Sequence, residues 1–268
     1  MIQSNKDALG ERMRRNYEFP YRFFLTKRTP VIIRIDMNNS HSFTYSMKKP
    51  FDPIFIESMH NTGIALCEQL TNIEFAYVQA DEINLLLLDS KKNSLGQWLD
   101  GNLQKMVSTA ASIATIEFNR AYTHAILSHN ELDNEITEQY SSKINKMIFD
   151  ACAFNIPESE IVNYFIHRQT ECSKNSVSII GKYYFSVDKL QNLNTLNIQE
   201  KLKSIGINWN ELPTFFKRGI CTKRESYVVK DEYKNEDIQR FRWVVDYEIP
   251  VFAREKEYIN QYLRYNND

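Results

Sequence analysis

The sequence predicts an α+β fold, a ferredoxin-like core of order β-α-β-β-α-β (βαββαβ) with a helical C-terminal extension. Three observations carry this reading. Short apolar, β-branched runs alternate with longer stretches whose apolar residues recur every three or four positions. Two of the short runs, IEFAYVQ and INLLLL, are separated only by Ala80, Asp81 and Glu82, which reads as two strands around a tight acidic turn. The length of 268 residues suits one large domain or two small ones, divided here at 1–155 and 156–268.

The elements follow in order. Residues 31–35, VIIRI, form an apolar strand that ends on Asp36. After a polar loop, Pro53 opens a helix whose Ile56, Met59, Gly63, Leu66 and Leu70 fall on one stripe. Strands at 73–79 and 83–88 come next, then a second long helix over 97–122 marked by Leu103, Val107, Ala110, Ala114 and Phe118. Residues 146–150, KMIFD, supply the fourth strand. This is the arrangement of polymerase palms and of many modules with no catalysis at all. Pro157 opens a further helix on which Ile161, Phe165, Arg168, Cys172 and Asn175 share a face. The stretch from Ser226 onward contains strand-like YVV and WVV but no motif.

In the predicted sheet the first and third strands are antiparallel neighbours, so Asp36 lies beside Asp81 and Glu82. Adjacent carboxylates near a core require a cation, and hard oxygen donors with room for water suit Mg²⁺ better than zinc. An acidic hairpin turn with Asp36 capping a loop is the plainer alternative. Arg168 and Asn175, polar groups on an apolar stripe, likewise need partners. Triphosphate or RNA oxygens serve, and so does an internal ion pair with Asp150.

Composition narrows the classes. A net charge of -1 excludes a uniformly basic nucleic-acid coat, so a nucleic acid must be met by a local patch, for which the pairs Lys27-Arg28, Lys217-Arg218 and Lys223-Arg224 are candidates. Cys67, Cys152, Cys172 and Cys221 form no C-x-x-C pair, which points to neither a zinc site nor a disulfide framework. The opening MIQSNKDALGERMRRNYEF lacks the apolar core of a signal peptide, and its Asp7 and Glu11 weaken a transit-peptide reading. No membrane span is expected, and the expected compartment is the cytoplasm, with the mitochondrion left open.

The order TPVIIRID, HSFT, KKPFD, FAYVQADEI, QKMVSTAASIATIEFN, FDA, YFIHRQTECSKNSV and NELPTFFKRG resembles the tRNA(His) guanylyltransferase family, and in its last two pieces the guanylyltransferase-like branch of 3′-to-5′ RNA polymerases. The resemblance implies a polymerase-palm core and a Mg²⁺-dependent nucleotidyltransferase that adds nucleotides to the 5′ end of tRNA, using GTP, ATP or other nucleoside triphosphates, as a homo-oligomer, dimer or tetramer. It implies that Asp36 and Asp81 hold two Mg²⁺ ions with the main-chain carbonyl of Met37, and that Glu82 supports them. It further places Arg34, His41, Lys49, Asp52, Arg168, Lys174 and Asn175 at the nucleotide or RNA.

The family pattern also shows departures, since Met37 stands where a glycine is usual, Asn38 where a basic residue is usual and Ser40 where an aromatic is usual. Two other functions remain open: a diguanylate-cyclase-like palm that acts on GTP alone, and a weakly catalytic tRNA-binding module.

Overall fold

The computed structural model describes residues 2–88, 96–129, 133–230 and 237–263, with side chains from residue 8. Helix α1 (Ile2–Met13) leads through a π-helical and a 3-10 turn into β1 (Val31–Met37). A short helix α2 (Ser40–Thr44) precedes α3 (Pro53–Gln69), which Asp52 caps by accepting from the Phe55 amide. Strands β2 (Ile73–Gln79) and β3 (Glu82–Leu87), helices α4 (Leu103–Ser128) and α5 (Asn134–Ser141), and β4 (Phe149–Asn155) follow. The second part contains α6 (Glu158–Tyr184), α7 (Val187–Leu190), α8 (Thr195–Lys203) and α9 (Thr214–Arg218). It then returns as a hairpin of β5 (Ile220–Lys230) and β6 (Asp237–Asp246) and ends in α10 (Glu257–Leu263).

The strands form one antiparallel sheet in the order β4-β1-β3-β2-β5-β6. Its first four positions are the split βαβ order that the sequence predicts. One face carries Ile33, Ile35, Ala76, Val78 and Leu85 against Met59 and Leu66 of α3 and Ala110, Ala114 and Phe118 of α4. A β-carbon at Gly63 would lie 2.7 Å from Val78 Cγ2, so this glycine is what lets α3 approach the sheet so closely. On the other face Ile32, Phe75, Tyr77 and Leu86 pack under Ile161 and Phe165 of α6, joined by Phe252 and Ile259. Each such fully buried side chain contributes roughly 1.5–3 kcal/mol.

Three expectations shift. The fourth strand occupies Phe149–Asn155 rather than 146–150, because Asn145 adopts a left-handed turn conformation (φ 60°) just before it and β4 pairs with β1 from Met37↔Phe149 to Val31↔Asn155. The second long helix begins at Leu103, where the Asn102 side chain accepts from the Lys105 amide, and not at residue 97. The C-terminal part is helical through α9, and its YVV and WVV fragments then form β5 and β6, which extend the same sheet.

Candidate active site

The site forms where β1 ends. Asp36 is the direct partner of Glu82 on β3, and Arg34 that of Asn84, so these four side chains share the sheet face beneath α6. The turn between β2 and β3 is tight, with Ala80 at φ 45°, a region that non-glycine residues seldom adopt. The Met37 amide donates to the Asp81 carbonyl at 3.0 Å, which fixes the acidic turn against the end of β1. The opening expectation that Asp36 meets Asp81 and Glu82 is met at the level of the backbone.

Their side chains divide the work. Glu82, 7% exposed, takes hydrogen bonds from Gln79 Nε2 at 2.7 Å, Asn84 Nδ2 at 2.7 Å and Arg168 Nε at 2.8 Å, and its second oxygen accepts from Arg168 Nη2. Tyr164, one turn earlier on α6, donates its hydroxyl to Asn84 Oδ1 at 2.6 Å. The partner of Arg168 is therefore Glu82, and not Asp150, which stands exposed on β4. Only two of the guanidinium's five N–H groups are used by Glu82, leaving three for a further acceptor.

Asp36 is more exposed, and Arg34 Nε donates to it at 2.9 Å. Burial and the neighbouring Glu82 charge nevertheless hold its carboxyl above the usual carboxylate range, with Arg34 offsetting only part. Among the described residues the Asp81 side chain accepts no hydrogen bond and pairs with no cation. The two carboxylates at these strand ends thus carry negative charge that the chain itself does not fully neutralise.

Nor do any three or more His, Cys, Asp or Glu side chains among the described residues make a complete metal cage. Two carboxylates and a nearby carbonyl, with water and substrate phosphate completing the shell, is the donor set that Mg²⁺ accepts. The residues fit the ion that the sequence implies.

Asp81 and Glu82 open onto a cleft of about 620 Å³ between the α2–α3 segment, α6 and the end of α9, a volume in the range of small-molecule sites. Its lining includes the cations Lys48, Lys49, Arg168 and Lys182, together with His41. One end is aromatic, with Phe51 stacked on Phe216 at 4.3 Å and 8°, and Phe215 beside them. Gly219 closes this end at φ 78°, where a β-carbon would lie 2.5 Å from the Val78 carbonyl oxygen.

The predicted residues thus separate into groups. His41, Lys49, Asp52, Asp81, Glu82, Arg168 and Asn175 line the cleft. Arg34 and Asp36 lie beside it on the sheet, and the Met37 side chain is buried on the opposite, α3-facing side. Lys174 is exposed and paired with Glu171 at 3.0 Å. Asp52 is buried; besides capping α3 it accepts from the Lys48 amide at 3.0 Å and from the Tyr140 hydroxyl. Burial, together with that bond to Asp52, pushes the Tyr140 hydroxyl up to about 12. Asp52 therefore anchors the loop that carries Lys48 and Lys49, while Lys49 Nζ donates to the Thr44 carbonyl at 2.7 Å.

Sequence reasoning did not find the aromatic end. Its only signal was the FF of NELPTFFKRG, and Phe51 and His60 reach the cleft from a loop and a helix whose spacing gives no hint of it.

Residues 10–157, more than half of the chain, match the family described as Thg1, tRNAHis guanylyltransferase. The chain belongs to this family. The family's enzymes are nucleotidyltransferases. A tRNA(His) guanylyltransferase of Debaryomyces hansenii is 28% identical over 222 residues, 78% of each chain. A bacterial tRNA(His) guanylyltransferase (Thg1)-like protein solved in complex with ATP is 36% identical, with a TM-score of 0.81 over 96% of this chain and 100% of that one. A second such structure, in complex with GTP, is 34% identical with a TM-score of 0.75 over 96% and 99%. No helix among the described residues is long and apolar enough to cross a membrane.

Proposed function

We propose that this family member is a Mg²⁺-dependent nucleotidyltransferase that extends the 5′ end of tRNA in the 3′-to-5′ direction. The observation that carries the reading is the placement of Asp81, whose side chain has no partner among the described residues, in the wall of a cleft that holds both cations and an aromatic cluster. That combination matches a nucleoside triphosphate, with phosphates among His41, Lys49 and Arg168 and the base at Phe51 and Phe216. The ATP and GTP of the two bacterial relatives support the same ligand class.

Asp36, Asp81 and the Met37 carbonyl would hold two Mg²⁺ ions, which supply a lowered pKa for an attacking hydroxyl and neutralise charge on departing pyrophosphate. Glu82 contributes indirectly, by fixing Arg168 while leaving three of its N–H groups for phosphate oxygens. Lys49 and Arg168 orient the triphosphate, so that a tRNA 5′-phosphate is first activated by a nucleoside triphosphate with release of pyrophosphate. The 3′-hydroxyl of the incoming nucleotide then attacks the tRNA 5′-phosphorus, breaking the phosphoanhydride bond and expelling the activating nucleotide as its monophosphate, while the hydroxyl proton is lost to solvent.

Assembly as a dimer or tetramer belongs to the same proposal. Five aromatic side chains between Tyr17 and Phe24 stand at least half exposed, and a second copy would cover such a surface.

The test compares wild type and Asp81→Ala on intact and 5′-truncated tRNAs with each triphosphate in Mg²⁺. We expect 5′ extension by the wild type and its loss, by about a thousandfold or more, in a variant that folds normally. Undiminished extension by Asp81→Ala would sink the metal assignment, and a cyclic dinucleotide made from GTP without RNA would overturn the tRNA reading.

A further inference from the structure

His60 sits on α3 in the wall of the cleft's aromatic end, two turns beyond the Asp52 cap. Its ring meets Phe215 edge-on at 6.2 Å and 84°, and Tyr247 at 5.5 Å and 61°, so the orientation of the imidazole is set by packing. Neither ring nitrogen has a hydrogen-bond partner among the described residues, and neither is sealed inside the core.

A histidine that serves only the fold does not look like this. His129, also partly buried, bonds through Nδ1 to the Ala125 carbonyl at 2.9 Å and lies 4.0 Å from Glu57. Among the described residues His60 has two ring partners and no hydrogen-bond partner. Ser176, also in the cleft wall, already accepts from Trp209 Nε1 at 3.1 Å.

Burial lowers the imidazole's pKa to about 4, so at neutral pH the ring is uncharged and offers one N–H donor and one nitrogen acceptor. An uncharged ring has no reason to seek a phosphate. Its donor and acceptor match the edge of a nucleobase, which stacking on Phe51 and Phe216 would bring into the same end.

We propose that His60 reads the edge of the bound nucleobase and thereby sets which nucleoside triphosphate the cleft prefers. This rests on the nucleotide reading of the cleft and adds the residue that discriminates among bases. Contacts from Phe51 and Phe216 are to ring faces and tolerate every base, whereas a hydrogen bond to one edge penalises bases that cannot return it.

The experiment measures the affinities of the full chain for ATP, GTP, CTP and UTP, and for inorganic tripolyphosphate. Wild type is compared with His60→Phe, which keeps the ring packing, and with His60→Gln, which keeps a donor and an acceptor. We expect His60→Phe to reduce the ratio between the favoured and least favoured triphosphate by about tenfold or more, with tripolyphosphate binding unchanged. His60→Gln should retain part of the preference, and His60→Leu, which also lacks the donor and the acceptor, supplies the same comparison if the phenylalanine variant does not fold.

A wild-type preference that survives in the variant lacking the donor and acceptor overturns the role of His60 alone. A wild type that binds all four triphosphates equally overturns it too. A wild type that binds no triphosphate at all overturns the nucleotide reading together with it.

Discussion

Beneath α6, β1 and β3 present two opposite surfaces within a few residues of each other. At the Ile32↔Leu86 pair the face is apolar and closed by Phe165; at Arg34↔Asn84 and Asp36↔Glu82 it is charged and closed by Tyr164 and Arg168. The apolar half needs nothing beyond close packing, because carbon surface is satisfied by carbon surface. The polar half is stable only if every donor and acceptor finds a partner, and it stops short of that at the strand ends. Glu82 and Asn84 are completed from α6, Asp36 is paired only with Arg34 of its own strand, and the Asp81 side chain has no partner among the described residues. The unsatisfied end of the polar half is where the cleft opens, and this is the physical difference between a core and a site.

The sharpest way to break the comparison is Arg168→Met. The side chains of Arg168 and Glu82 are only 17% and 9% exposed, so the substitution leaves a nearly buried carboxylate with amide donors but no cation. We expect a loss of about 3–5 kcal/mol in urea unfolding, most of it recovered when Glu82→Gln is added to the same chain. A loss below about 1 kcal/mol would mean that the pair is as loosely held as a surface salt bridge.

A smaller effect tests whether the polar half depends on complete pairing. Tyr164→Phe removes the donor to Asn84 Oδ1, in a side chain with no exposed surface, and keeps the ring against Phe154 and Phe165. The expected cost is about 1–3 kcal/mol in the same measurement, with little change in a packing-sensitive near-ultraviolet spectrum. A variant as stable as wild type would show that water replaces the phenol and that this region is wetter than its burial indicates.

These residues also show how much could be read in advance. Asp36, Asp81 and Glu82 stood at the ends of recognisable strands, and a strand order derived from periodicity brought them together. What could not be read was which acid α6 would neutralise. Arg168 and Asp150 are closer in sequence, and only the angle at which α6 crosses the sheet selects Glu82 over the exposed Asp150. The hairpin β5–β6 was legible only as strand-like YVV and WVV, without its place in the sheet, for another reason. Much of it is exposed on both faces, so it lacks the alternation of apolar and polar residues by which a half-buried strand announces itself. The aromatic end of the cleft depends on loops and helix ends distant in sequence, and no local pattern encodes that meeting.

The smallest expected effect concerns an acid outside the site whose pairing is complete. Burial alone would raise the Asp246 carboxyl, but hydrogen bonds from Lys223 Nζ at 2.7 Å, the Tyr258 hydroxyl at 2.9 Å and the Glu248 amide at 3.0 Å outweigh it and hold it below the usual carboxylate range. Asp36 is shifted the other way, because burial and the neighbouring Glu82 charge outweigh its one cation partner, Arg34. A depressed carboxyl stabilises the fold at a pH above its unfolded value, near 3.9, and loses that contribution as the pH falls through the lower folded value. Asp246→Asn should therefore cost about 1 kcal/mol at pH 7, with a difference from wild type that narrows as unfolding is measured at successively lower pH below about 4. A difference that stayed constant into acid would show that the bonds hold the shape of Asp246 and not its charge. The contrast between a completed acid at the hairpin root and an incomplete one at the strand end would then rest on geometry alone.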